Sequence, residues 1–290
     1  MREGTRAAPP RHCARALPFL TPPPLPPTTS LHPLLYHLTD QGRLPAYDTQ
    51  ARAAKAQAAP SLPIVLGETA SYWAGGRANV SNRYASGFWY LPQLGYLASQ
   101  GYMAHIRQDL AGGDYGLLDL VLDSSGTVVD FAANPDYFTH ALWQRLVSGV
   151  ALGVNVSSSS SSSSGSAGLR AWGACAAREG GGATGGVVFI VVNFDSTAAA
   201  VTLELEGAAL PAARGDYILT PGVPALGLAS PSMALNGEVL AVGADNALPP
   251  LLPLQQSTQA PLLLPPRSYA FVTLPEARAA GCQQAEAAAP

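Results

Sequence analysis

An unbroken run of eight serines at positions 157–164 divides the chain into two parts whose hydrophobic residues follow different periods. Before the run, apolar residues come as short continuous stretches and at helical spacing. After it they alternate in short β-branched segments bounded by turn residues. A change of period across a polar, low-complexity tract implies an α/β part followed by an all-β part, with the tract outside both cores. No repeat of 20 to 50 residues is visible, which sets aside solenoids and propellers.

Composition narrows this further. Of 290 residues, 29 are glycine and 26 proline, so long helices cannot dominate and an all-helical bundle is excluded. Hydrophobic residues make up 48% and charged residues 12%, enough for a core and too little charge for a highly charged disordered chain. With 16 Lys and Arg against 19 Asp and Glu, the net charge of −3 lacks the basic excess that binds phosphates, so nucleic acid is not an expected partner. Cys13, Cys175 and Cys282 form no CxxC or Cys/His cluster, so neither a metal site nor a cofactor is expected. The leucine-rich stretch 248–264 is broken by prolines and glutamines, which excludes a transmembrane span there. The arginines near the amino terminus precede only a five-residue apolar run, and no signal peptide is visible.

Along the chain, residues 1–30 read as a disordered Pro/Ala/Arg-rich leader, 31–150 as the α/β part and 151–168 as a Ser-rich linker. The all-β domain then spans 169–282, and 283–290 form a disordered tail. Positions 63–68 are a continuous apolar run ending in Gly67 and Glu68, the pattern of a buried parallel strand opening into a loop. Tyr84, Phe88, Leu91, Leu94 and Leu97 predict an amphipathic helix that Pro92 should kink or break, and a second strand follows at 102–107. Asn134, Pro135 and Asp136 supply a cap, a first-turn proline and a first-turn acid for another helix. Six strands are expected at 169–175, 187–194, 201–205, 216–219, 233–242 and 269–274, with a hairpin turn at Asn236-Gly237, giving an antiparallel β-sandwich.

Of the eight glutamates, Glu68 alone ends an apolar strand of the α/β part. Strand ends of parallel barrels carry catalytic groups because the loops there vary without disturbing the packed interior; a carboxylate capping its own turn is the plainer alternative. After it, Tyr72 and Trp73 offer flat faces for a sugar ring, and Gly75 and Gly76 bare backbone for a ligand, unless they are core aromatics and loop glycines. Arg107 and Gln108 end the second strand and lead into Gly112-Gly113-Asp114-Tyr115-Gly116, polar groups suited to orienting hydroxyls or a carboxylate. Otherwise Arg107 pairs with Asp109 or Asp119 beside an ordinary glycine turn.

Four blocks in order, LGETASYWAGG, SGFWYLPQLGYLASQGY, IRQDLAGGDYGLLD and NPDYFTHALWQRLVSG, together resemble the heparanase-like enzymes of glycoside hydrolase family 79, in the plant-type form. LRAWGAC, LNGEVL, LPPL, PPRSYAFV and AAGC extend the resemblance over residues 61–282. It implies a (β/α)8 TIM barrel, present here only as carboxyl-terminal strands and helices, followed by the β-sandwich, with retaining hydrolysis of β-linked glucuronides by two glutamates. It further implies Glu68 as nucleophile, and Trp73, Gly75, Gly76, Gln108, Gly113 and Tyr115 in the substrate-binding wall. Ala74 stands where glycine is frequent in that family, and Trp73 where tyrosine is common. The resemblance also implies a disulfide between Cys175 and Cys282, a glycan or glucuronide substrate, and an extracellular, cell-wall, membrane-associated, lysosomal or vacuolar location. The sequons Asn79-Val80-Ser81 and Asn155-Val156-Ser157 are compatible with export.

One element of the family pattern is missing. Its acid/base is the glutamate of an Asn-Glu pair, and no such dipeptide occurs in the 290 residues. About five or six of the eight barrel strands also lack a counterpart, positions 31–38 at most resembling one. A retaining glycosidase needs two carboxyls roughly 5 to 5.5 Å apart. The expectation is therefore the carboxyl-terminal portion of such an enzyme, inactive without an amino-terminal portion. The alternative is a non-catalytic glycan-binding or structural remnant. Asp109 and Asp114 fall at the same barrel end and could substitute for the absent acid; the plainer alternative is that they are surface or turn acids.

Overall fold

The computed structural model describes residues 44–58, 61–157, 168–177, 185–243 and 245–288. The expected leader, the stretch 31–38 and the serine run itself, apart from Ser157, lie outside them. Helix α1 (Leu44–Ala58) precedes a β-α-β unit: β1 (Ile64–Thr69), α2 (Ser86–Ser99) and β2 (Tyr102–Arg107), with β1 and β2 hydrogen-bonded in parallel. Such a crossover needs a helix to cover one face of the strands, which α2 supplies. The helix continues through Pro92 rather than breaking there. Next comes an antiparallel hairpin, β3 (Leu118–Leu122) and β4 (Val128–Ala133), which the sequence pattern did not mark, and then α3 (Pro135–Leu146). Asn134 precedes α3 in extended conformation but does not cap it through its side chain. Its Nδ2 donates instead to Gly116 O at 2.9 Å and Asp119 Oδ1 at 2.7 Å, tying the helix start to the preceding loop.

The second part is dominated by one eight-stranded sheet. Its strands are β5 (Val147–Leu152), β6 (Leu169–Ala176), β7 (Val187–Asn193), β9 (Ala213–Pro221), β10 (Met233–Leu235), β11 (Glu238–Val239), β12 (Leu254–Ser257) and β14 (Ser268–Leu274). They run in the order β11-β10-β9-β14-β7-β6-β5, with β12 pairing on β9, and every pair is antiparallel. The Asn236-Gly237 turn joins β10 to β11 with both residues at positive φ, as a two-residue hairpin requires. A small second layer is formed by β8 (Ala199–Val201) and β13 (Leu262–Leu264).

Side chains alternate across β14 and β7, so the sheet has two apolar faces. Val191, Ala270 and Val272 pack with Leu203, Leu262 and Leu264 beneath β8 and β13. On the other face, Ile190, Tyr217, Leu219, Tyr269 and Phe271 pack with Tyr84, Phe88 and Leu91 at α2 and with Phe138, Leu142 and Leu146 of α3. Tyr84 stacks on Tyr269 at 5.2 Å and donates to Leu219 O at 2.7 Å. The α2 backbone reaches the sheet because Gly87 has no side chain: a Cβ there would collide with the Tyr269 phenol.

These contacts displace the expected boundaries. Residues 147–150 belong to β5 and pair with β6, and the largest core is shared between helices from one expected unit and the sheet of the other. The anticipated sandwich is thus a large sheet covered on one face by a small strand pair and on the other by helices. The expected tail is also shorter, because α4 (Ala280–Ala288) occupies most of it. Cys282 of α4 is bonded to Cys175 of β6, with Cα atoms 5.4 Å apart, so the implied disulfide is formed. It closes a loop spanning 107 positions, worth about 4–5 kcal/mol by chain entropy.

Candidate active site

Glu68 lies on β1, one residue before the strand ends, and its side chain is exposed. The neighbouring strand ends level with it: Thr69 O accepts from the Gln108 amide at 2.8 Å. Gly67, Glu68, Ile106, Arg107, Gln108, Asp109 and Leu110 therefore line one open groove of about 290 Å³. Burial raises the Asp109 carboxyl above the ordinary carboxylate range despite the nearby Arg107 charge, and its Oδ1 is buried without a hydrogen-bond partner among the described residues.

A layer of polar side chains supports this strand end from behind. Gln93 of α2 accepts at Oε1 from Thr69 Oγ1 at 3.2 Å and meets His105 Nε2 at 2.9 Å, linking the helix to both strands. His105 is pushed down to about 4, chiefly by burial, and is neutral over most of the working range. The Tyr90 hydroxyl meets His140 Nδ1 at 2.7 Å, and burial likewise lowers His140. Arg107, the last residue of β2, points into the protein. Its guanidinium pairs with Asp136 of α3 at 2.5 Å, donates to Tyr115 O at 2.6 Å and lies over the Tyr90 ring at 4.5 Å. Its partner is neither Asp109 nor Asp119. Burial raises the Asp136 carboxyl, opposed by the Arg107 charge.

The glycines also hold the two loops against each other. Asp114 N donates to Gly75 O at 2.6 Å, and a Cβ on Gly113 would lie 2.5 Å from that same oxygen. A Cβ on Gly76 would lie 2.6 Å from Tyr115 N. The loops after β1 and β2 are thus pressed together, and glycine is required for their contact. Ala74 has φ 52°, a left-handed conformation that suits glycine better and costs an alanine about 1 kcal/mol.

The residues expected at the site are therefore divided. Glu68 and Gln108 share the groove. Trp73 is 57% exposed on the loop after β1, stacked against Tyr72 at 6.4 Å. Gly113 lines a second depression with Gly112, Asp114, Asp119 and Leu120. Gly75 and Gly76 stand behind Gly113, and Tyr115 is only 8% exposed. Sequence reasoning did not find Gln93, His105 or the Arg107–Asp136 pair. The one available signal was the presence of polar residues at inward positions of otherwise apolar elements.

The Glu68 carboxylate is thus exposed at the end of a parallel strand, in a groove that it shares with the Gln108 amide. Comparisons with known proteins give the family. The chain is 31% identical over 210 residues to baicalin-β-D-glucuronidase of Scutellaria baicalensis, covering 72% of this chain and 36% of that protein. It is 31% identical over 228 residues to mouse heparanase, covering 77% and 39%. Over about three quarters of its length the chain is a homologue of the heparanases and heparanase-like β-glucuronidases of glycoside hydrolase family 79. It spans roughly two fifths of these relatives' length. No protein-family model matches. Among solved structures, a conserved exported protein from Bacteroides fragilis superposes with a TM-score of 0.52 at 11% identity, covering 79% of this chain and 42% of that one, a likeness of fold alone.

Proposed function

We propose that Glu68 is the nucleophile of a retaining hydrolase for β-linked glucuronides, in a (β/α)8 site whose acid/base carboxyl comes from outside these 290 residues. The observation that carries the reading is the exposed Glu68 carboxylate in a groove shared with Gln108. In the first step, a Glu68 oxygen attacks the anomeric carbon and the glycosidic C–O bond breaks; the second carboxyl gives its proton to the departing oxygen. In the second step, water attacks the same carbon, the ester to Glu68 breaks, and the proton from water returns to the second carboxyl. In this reading Gln108, which lines the groove, holds the sugar through hydrogen bonding, and Trp73, exposed on the loop after β1, through stacking. The parallel pair β1–β2 takes further barrel strands from an amino-terminal portion as its partner. The Cys175–Cys282 disulfide favours an oxidising, extracellular or vacuolar compartment.

An activated fluoro-glucuronide needs no leaving-group protonation and tests Glu68 apart from the second carboxyl. The chain combined with a family amino-terminal portion is expected to carry the label on Glu68, and Glu68→Ala to lose it. A label on Asp109 or Asp114 would overturn the assignment, and hydrolysis of an aryl glucuronide by the pure chain would overturn the need for an outside carboxyl. The exposed Trp73 favours one other reading, a glycan-binding protein without turnover. Glucuronide binding lost in Trp73→Ala, with no labelling in any combination, would select it.

A further inference from the structure

Of the two sequons, the fold leaves only Asn155-Val156-Ser157 exposed at all three positions; in the other, Asn79 alone is exposed. Asn79-Val80-Ser81 lies in the connection between β1 and α2, and its second and third residues are buried, at 1% and 0% exposure. Val80 belongs to the core shared by α2 and the large sheet. Ser81 Oγ accepts from the Arg77 amide at 3.0 Å, and the Asn79 side-chain oxygen accepts from the Arg83 guanidinium. Asn155-Val156-Ser157 is the reverse case. It follows β5 in irregular backbone, and all three residues are exposed.

The position has a physical use. β5 is the terminal strand of the large sheet, next to β6, so among the described residues its outer edge has no strand beside it. An unpaired edge is a template for pairing with other chains, and a bulky polar group at the end of the edge strand obstructs it. The Cys175–Cys282 bond places the folded chain in an oxidising compartment, the setting in which asparagine glycosylation occurs.

We infer that Asn155 carries an N-linked glycan in the folded protein and that Asn79 does not. The donor is a lipid-diphosphate-linked oligosaccharide. The Asn155 side-chain nitrogen forms a bond to the sugar's anomeric carbon and gives up one proton, while the bond from that carbon to the diphosphate oxygen breaks and the lipid diphosphate leaves with the electron pair. The inference is independent of any catalytic role for Glu68.

The test is expression of the whole chain behind a secretory leader in a eukaryotic cell, with removal of glycans by an amidase and peptide mass spectrometry on secreted and cell-retained protein together. One glycan is expected, with the asparagine-to-aspartate mark of enzymatic release at Asn155. Asn155→Gln and Ser157→Ala should each abolish the mobility shift, and Ser157→Thr should keep it. Retained protein passes the same glycosylating enzyme, so a variant that fails to leave the cell still reports. An unmodified Asn155 peptide, or a shift that survives Asn155→Gln through occupancy of Asn79, would overturn the inference. If Asn155→Gln also forms more soluble oligomer than the parent, the glycan shields the β5 edge; unchanged oligomer content overturns that role.

Discussion

The two sheets of this protein are built from similarly apolar strands and reach opposite degrees of burial. In β7 and β14 nearly every residue is buried, because helices cover one face and the β8–β13 pair with its flanking loops covers the other. In β1 and β2 no residue is fully buried: α2 covers one face, and Val65 and Ile106 stand 41% and 53% exposed. The hairpin β3–β4 resembles the second case, with Leu120, Val121, Val129 and Phe131 exposed. A strand's hydrophobicity therefore records a demand for a partner, and only packing shows whether the demand is met within these residues. Among the described residues it is met at the large sheet and unmet on the groove side of β1–β2, the side where Glu68 lies.

Substitutions can break or sharpen this contrast. The largest effect is expected at the join between the two regions. Arg107→Met leaves Asp136 buried without its counter-charge and should cost about 3–5 kcal/mol in urea denaturation. Acidification should shrink the loss, because a protonated Asp136 no longer needs the partner; a loss that does not depend on pH would mean the pair contributes through packing alone.

Next is the shared core. Phe88→Ala, on α2, removes a fully buried ring packed against Tyr269 and Phe194, and should cost about 3–5 kcal/mol of the same cooperative transition that unfolds the large sheet. Ile106→Ala, on the open face of β2, should change stability by less than about 0.5 kcal/mol. Equal effects at the two positions, or a separate transition for the helices, would dissolve the comparison.

Acid should act through His105. Its folded value of about 4 lies below the unfolded 6.5, so between those values the unfolded chain binds more protons and stability rises with pH. On the order of 3 kcal/mol present at neutral pH should be lost as pH falls through this window. Arg107 and His140, the neighbouring cationic groups, act in the same direction as burial. Thermal melts from pH 7.5 to 4 should show the slope in the parent and a flatter one in His105→Gln; parallel curves would remove His105 as the cause.

Much of this was legible in the residues because it is local. The runs at 63–68 and 102–107, the helical spacing between them, the Asn236-Gly237 turn and most of the long strands follow from periods and turn chemistry. The β3–β4 hairpin was not, since Asp123 closes its turn by accepting from the Ser125 and Thr127 amides, without the usual Asn-Gly or Asp-Gly pair. The family resemblance carried the disulfide and supplied the roles proposed for Glu68 and Gln108, because those depend on residue identity at fixed spacing.

The tertiary structure alone decided what depends on distant parts of the chain meeting. It gave Arg107 the buried Asp136 in place of a nearer acid, brought Gln93 to Thr69 and His105 together, and turned Gly76 and Gly113 into the contact surface of two loops. It also merged the helices of the first part with the sheet of the second, a join no period could reveal. Periodicity states which side of an element is apolar; which surface that side meets is settled only by the three-dimensional path of the chain.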